Sequence, residues 1–127
     1  MEAVKRTERG WAGHYICSDR CTFRRNTLLE YNNKKVVVST VGAMVVDCGF
    51  QQIGCDRYFE TKAFLSKNDD APYYDADIEK ELELDCKCSL KEIRFQSDLK
   101  ANEMHENAVK WVEEQLIADK LTYYYDE

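Results

Sequence analysis

Near Asp98 the spacing of apolar residues changes from every second position to every third or fourth. A side-chain period of two belongs to a strand, and a period near 3.6 belongs to a helix. The change therefore predicts an α+β fold, an antiparallel β-sheet meander packed with a C-terminal amphipathic α-helix. With 127 residues, 44% of them hydrophobic, one domain over 1–127 can bury a core of its own. Its expected parts are a β-rich region over 9–96, a helix over about 98–118 and a tail over 119–127.

Within the β-rich region, Trp11 to Cys17 reads as a strand, followed by a turn at Ser18-Asp19-Arg20. Thr22 to Tyr31 is a second strand, with Phe23, Arg25, Leu29 and Tyr31 on one face and Arg24 and Asn26 on the other. Asn32-Asn33 marks a tight hairpin, because asparagine tolerates the left-handed backbone such turns need. Val36 to Val46 is β-branched and apolar, as expected of a central strand covered on both sides. Asp47-Cys48-Gly49 turns the chain again, and Ile53 to Leu65 gives the next strand. A polar loop around Pro72 precedes Ile78 to Cys86, where apolar residues alternate with Glu79, Glu81, Glu83 and Asp85. That acidic face is expected to meet water. In the helix, Ala101, Met104, His105, Ala108, Trp111 or Val112, Gln115 and Leu116 recur at three- and four-residue intervals as the inward stripe, and Ser97 or Asp98 is the expected N-cap.

The net charge is −6. Duplex nucleic acid and anionic membranes are therefore poor partners, since both demand a basic surface. The charge is uneven, though. Lys5, Arg6, Arg9, Arg20, Arg24 and Arg25 outnumber the acids between them, and a local positive patch can hold a small anion. Met1 to Arg9 has no apolar core, so no secretory signal is expected, and no apolar run is long enough to span a membrane. Six cysteines in that setting are expected to be reduced thiols of a cytoplasmic protein.

Several constellations invite chemistry. Cys17 and Cys21 with His14 form part of a zinc ligand set, but no second half completes it, so the cysteines read as small buried hydrophobes and no metal is expected. His14 and His105 are the only histidines, and neither sits in a catalytic signature. Asp75-x-Asp77 reads as solvated surface. Arg24-Arg25-Asn26-Thr27 is more informative. Adjacent strand residues point to opposite faces, so at most one of the two arginines enters a given pocket. Arg57 lies beside Tyr58 in the same manner. Guanidinium for phosphate, a ring for stacking and amides for base or ribose edges make a nucleotide site. The competing reading is cross-strand ion pairing of the arginines with Glu30 or Glu60.

The runs from Arg9 to Cys17, Arg20 to Leu29 and Gly54 to Phe64, with Tyr73-Tyr74-Asp75-Ala76-Asp77 and Lys100 to Glu106, span roughly residues 9–116. Together they resemble the first type of Thoeris anti-defence protein, a phage-encoded family. The resemblance implies a cytoplasmic sponge that sequesters cyclic ADP-ribose isomers made by TIR-domain enzymes of the host bacterium, some members also holding cyclic oligonucleotides. It implies a dimer or hexamer of an antiparallel sheet with a C-terminal helix, and neither cofactor nor degradation of the ligand. Pocket residues do not carry over position by position. Chemistry and membership in the shared runs single out Trp11, His14, Arg24, Arg25, Arg57, Tyr58, Phe95, Asn102 and His105 as ligand-binding. Two other functions remain in view: a small nucleotide phosphodiesterase or hydrolase using His14 or His105, and an inhibitor that blocks a host protein through the acidic face and the Tyr123–Tyr125 tail.

Overall fold

In a computed structural model of the chain, the structure describes residues 3–9, 20–46, 49–51, 58–66, 76–83, 89–90 and 95–121, with the side chains of all of these except 50–51, 76–79, 89–90 and 95–98. The elements run β1 (Lys5–Glu8), β2 (Cys21–Tyr31), β3 (Lys34–Val46), β4 (Gly49–Gln51), β5 (Phe59–Ser66), β6 (Ala76–Glu81), β7 (Ser89–Leu90) and α1 (Phe95–Ala118). They form one antiparallel sheet in the order β1-β2-β3-β5-β6, with β4 on β3 and β7 on β5. The expected architecture, a meander with a C-terminal helix, is what the chain adopts.

The β2–β3 hairpin turns at Asn32 and Asn33, whose φ angles of 51° and 66° put both in the left-handed region that a two-residue turn of this hand requires. Tyr31 and Lys34 close the loop as partners. Glycine meets the same demand without a side chain to strain, so Asn33→Gly is expected to stabilise the fold by about 0.5 kcal/mol. A slightly higher urea midpoint checks this.

Register then sets the two faces of the sheet. Arg25, Thr40 and Thr61 form one row across β2, β3 and β5; Thr27, Val38 and Ala63 form the next, then Leu29, Val36 and Leu65. This face receives α1. Leu29, Val36, Val38, Ala63 and Leu82 pack on Ala108, Val109, Val112 and Leu116, all buried. Burying each Val or Leu is worth about 1.5–3 kcal/mol, and this burial docks the amphipathic helix on the sheet. Nearer the start of α1, Ala43 and Phe59 pack on Ala101 and Met104, with Phe23 and Tyr58 beside them. Val36 through Met44 are buried without a break, so β3 is covered on both faces as its composition predicts. Ala43, with φ 54°, stands where β3 stops pairing with β5 and starts pairing with β4.

α1 ends as a left-handed cap. Asp119 has φ 56°, its N–H donates to the Leu116 carbonyl at 3.2 Å, and the Lys120 N–H donates to the Gln115 carbonyl at 2.9 Å. These bonds satisfy carbonyls that the last turn would otherwise leave open.

Four expectations need correction. The charged N-terminal stretch forms a strand, β1, which no apolar alternation announces: all four of its residues are exposed. Ser97 and Asp98 lie inside α1 rather than capping it, because the helix begins at Phe95. Of the acidic residues expected to meet water, Glu83 is exposed, but Glu81 is only 14% exposed at its side chain and lies 3.6 Å from Lys62. Arg25 pairs with Glu8 and Glu106 rather than with Glu30 or Glu60, and Arg57, which the same competing reading included, lies outside the described residues. The expected strand over 11–17, the loop around Pro72 and the tyrosine tail lie outside the described residues. Among the described residues, no helix is long and apolar enough to cross a membrane.

Candidate functional site

β1, β2 and α1 meet in a cluster of charges above a buried histidine. β1 pairs Arg6 with Leu29 and Glu8 with Thr27, which places Arg6 and Glu8 on the helix face beside Arg25. α1 supplies Asn102, His105 and Glu106. Asn102 and Glu106 are four residues apart and so share one flank of the helix, while His105 turns into the core.

The Arg6 guanidinium donates to both oxygens of Glu106, at 2.8 and 2.5 Å, and to Glu8 Oε1 at 3.1 Å. Arg25 Nη2 donates to Glu8 Oε1 at 2.5 Å and lies 2.9 Å from Glu106, and its Nη1 donates to Asn102 Oδ1 at 3.3 Å. The cluster thus alternates two guanidiniums with two carboxylates, and its charge closes on itself. The Arg6 hydrogen bond, with Arg25 behind it, holds the Glu106 carboxyl down to about 2, well below its usual range. Partial burial pushes Glu8 upward, but hydrogen bonds from Thr27, Arg25 and Arg6 outweigh it and leave the carboxyl below its usual range. Arg6 is correspondingly raised by its bond to Glu106, against partial burial.

Beneath the charges, His105 is 0% exposed. Its Nε2 is 2.7 Å from Thr27 Oγ1, and its Nδ1 is 2.8 Å from Thr40 Oγ1. Thr27 Oγ1 donates to Glu8 Oε1 at 2.5 Å, and Thr40 Oγ1 is 2.6 Å from Thr61 Oγ1. Burial, followed by the Arg25 charge, lowers the imidazole pKa from 6.5 to about 4 against the opposing pull of Glu8 and Glu106. A ring that is neutral, enclosed and bonded at both nitrogens is not presented to a substrate as an acid or base.

The sequence-derived candidates divide accordingly. Arg25, Asn102 and His105 come together, but their polar groups are spent on one another, on Glu8 and Glu106, and on the threonines. Arg24 projects from the opposite face of β2, exposed, with no ion pair among the described residues. On that face Arg9 Nε donates to Asn26 Oδ1 at 2.8 Å, and the Arg9 N–H donates to the Asn26 carbonyl at 2.8 Å, which fixes the exit of β1 two residues from Arg24. Tyr58 is partly buried against the Ala43–Phe59 cluster. Trp11, His14 and Arg57 lie outside the described residues, and of Phe95 only its place at the start of α1 is described. Cys21 is buried, matching the small-hydrophobe reading for that residue.

Sequence reasoning missed Arg6, Glu8, Thr27, Thr40, Thr61 and Glu106. Two weak signals pointed to them: Thr27 lies two positions from Arg25 and therefore on its face, and Glu106 lies one turn from Asn102. A groove of about 360 Å³ opens elsewhere, at the β2–β3 hairpin, lined by Tyr31, Asn32, Asn33, Lys34 and neighbours; none of the candidate residues borders it. Among the described residues, no group of His, Cys, Asp and Glu is placed to hold a metal ion. No family model, curated protein or solved structure matches the chain.

Proposed function

We propose that the chain binds a phosphate-bearing nucleotide of the cyclic ADP-ribose class and holds it without breaking it, as its resemblance to Thoeris anti-defence proteins implies. The observation that carries this reading is the division between the adjacent arginines. Arg25 is consumed in fastening β1 to α1. Arg24 is left exposed on the other face of the sheet. An exposed strand guanidinium with no carboxylate partner among the described residues is the kind of group that meets a phosphate. The engagement of both His105 nitrogens supports the non-degrading half of the reading against a hydrolase built on that residue.

In this reading the ligand-binding set is Arg24 with Arg57, and Trp11 stacks on the base. Stacking contributes about 1–3 kcal/mol per base. A sponge must bind tightly, because it acts one for one. A nanomolar dissociation constant corresponds to about 12 kcal/mol, within reach of several charge-assisted contacts and a stack in one closed pocket. A host bacterial cytoplasm and a dimer or hexamer belong to the same proposal.

The test is to incubate the purified protein with a cyclic ADP-ribose isomer, remove free ligand by filtration, denature by heat and identify what is released. Intact ligand is the expected result. A linear product would make the protein an enzyme. No bound nucleotide, with a host protein retained on the purified chain, would favour an interaction inhibitor. Arg24→Ala is expected to weaken binding by about 2 kcal/mol, the worth of a charged hydrogen bond, at unchanged thermal stability. Arg25→Ala is expected instead to lower stability. Calorimetric titration and thermal melts of the two variants separate these roles, and equal affinity for Arg24→Ala and wild type would remove Arg24 from the site.

A further inference from the structure

Packing alone does not account for the three buried threonines of the helix face, Thr27, Thr40 and Thr61. Valine would fill the same space without a hydroxyl that needs a partner. Each hydroxyl owns a single proton, so a chain of them has a direction. Glu8 faces the guanidiniums of Arg6 and Arg25 and is therefore a carboxylate that can only accept, which obliges Thr27 to donate to it at 2.5 Å. The one proton of Thr27 is then spent. Its 2.7 Å bond to His105 must be donated by Nε2–H. A neutral imidazole protonated at Nε2 has a bare Nδ1, which accepts from Thr40 at 2.8 Å. Thr40 in turn receives the proton of Thr61 at 2.6 Å.

We propose that Thr61, Thr40, His105 and Thr27 form a one-way donor chain ending on Glu8, with His105 fixed as the Nε2–H tautomer and serving as a positioning residue for the Glu8 carboxylate. This goes beyond the nucleotide reading and does not rest on it. The chain begins between β3 and β5 in the core and ends on the oxygen that receives Arg25 Nη2 at 2.5 Å and Arg6 Nη2 at 3.1 Å. Core order is thereby passed to the two arginines that tie β1 to α1. A proton can be added at Nδ1 only if Thr40 and Thr61 both turn their hydroxyls away. The charged groups facing the ring are Arg25 and Glu8 from the sheet side, Glu106 from its own helix and Arg6 from β1.

Nitrogen-15 NMR of the full chain at neutral pH tests the tautomer directly. The expected spectrum shows His105 with a slowly exchanging proton on Nε2 and an unprotonated Nδ1. A proton on Nδ1, an imidazolium, or two nitrogens averaged by exchange would overturn the proposal. Two variants test the direction. Thr40→Val is expected to keep the Nε2–H tautomer, because the ordering is imposed from the Glu8 end. Thr27→Val is expected to lose it, along with the resolved Arg25 Nη–H signals, because Glu8 is then released. If both variants leave the ring unchanged, or change it alike, the ordering from Glu8 is wrong. If a variant does not fold, the wild-type spectrum still decides which nitrogen carries the proton, and with it whether the chain runs toward Glu8.

Discussion

Gly42→Ala is expected to destabilise the protein by about 3 kcal/mol, although replacing a strand glycine by alanine ordinarily helps by roughly 0.5–1 kcal/mol. The reversal comes from Phe59. Gly42 sits opposite Phe59 in the β3–β5 ladder and opposite Phe23 in the β2–β3 ladder. The Phe59 ring lies where the Gly42 side chain would be: a Cβ there would come within 2.2 Å of Phe59 Cδ1, 2.6 Å of Cγ and 2.8 Å of the Tyr58 carbonyl oxygen. Neither neighbour can yield cheaply. Phe59 is fully buried and meets Phe23 edge to face, with ring centres 6.0 Å apart. The Tyr58 carbonyl accepts the Ala43 N–H at 2.9 Å, so retreat of β5 would break a backbone bond. Overpacking of this kind typically costs about 1–3 kcal/mol, and contact with backbone puts this site at the upper end. Gly49 is the control: a Cβ there meets nothing within 4 Å, and Gly49→Ala is expected to stay within about 0.5 kcal/mol of wild type. Urea unfolding of both variants is the measurement. A double-mutant cycle with Phe59→Leu should show coupling, since the smaller side chain vacates part of the contested space. Equal stabilities for the two glycine variants would mean that the ring does not fill that space.

The close approach at Gly42 is one of the things a sequence does not disclose, and the reason is general. Local signals were legible because their physics is local. The Asn32-Asn33 turn, the apolar run of β3, the stripe of α1 and its end near residue 118 follow from backbone preference and side-chain period. Period two also placed Arg24 and Arg25 on opposite faces, and the helical stripe already included His105. What the sequence withheld depends on register. Whether Thr27 lies beside Glu8, or Thr40 beside Thr61, is decided by which residues pair across four strands, and a shift of one residue would send each to the other face. β1 was missed for a different reason. Its residues Lys5, Arg6, Thr7 and Glu8 are all exposed, so it carries no hydrophobic alternation, and hydrogen bonds with a few charges hold it. Among the candidate site residues, the outcome for Arg25 illustrates the limit. Its chemistry suits a phosphate as well as a carboxylate, and only the fold brings Glu8 and Glu106 to it.

Because His105 is held neutral in the core, the protein is expected to lose about 3 kcal/mol of stability as the pH falls from about 7 to about 4. The imidazole pKa is 6.5 in an unfolded chain and about 4 in the fold, lowered first by burial and then by Arg25. Between those values the unfolded chain binds a proton that the folded chain refuses. Acid therefore favours unfolding across that window, and the stabilisation is fully present above about 6.5. Each pKa unit is worth about 1.36 kcal/mol, which sets the size of the effect. Glu8 and Glu106 act in the same direction but at lower pH, since their folded values lie below the ordinary carboxylate range. The two contributions are separable by window, with the histidine above about 4.5 and the carboxylates below. His105→Gln is the informative variant. The amide can bond one threonine but cannot titrate, so it is expected to be less stable than wild type at pH 7 and to have a flatter profile between pH 7 and pH 4.5. Urea midpoints across that range, for wild type and variant, give the comparison. Parallel profiles would show that His105 is reached by protons in the folded state, and the closed threonine–histidine core would then be the wrong description.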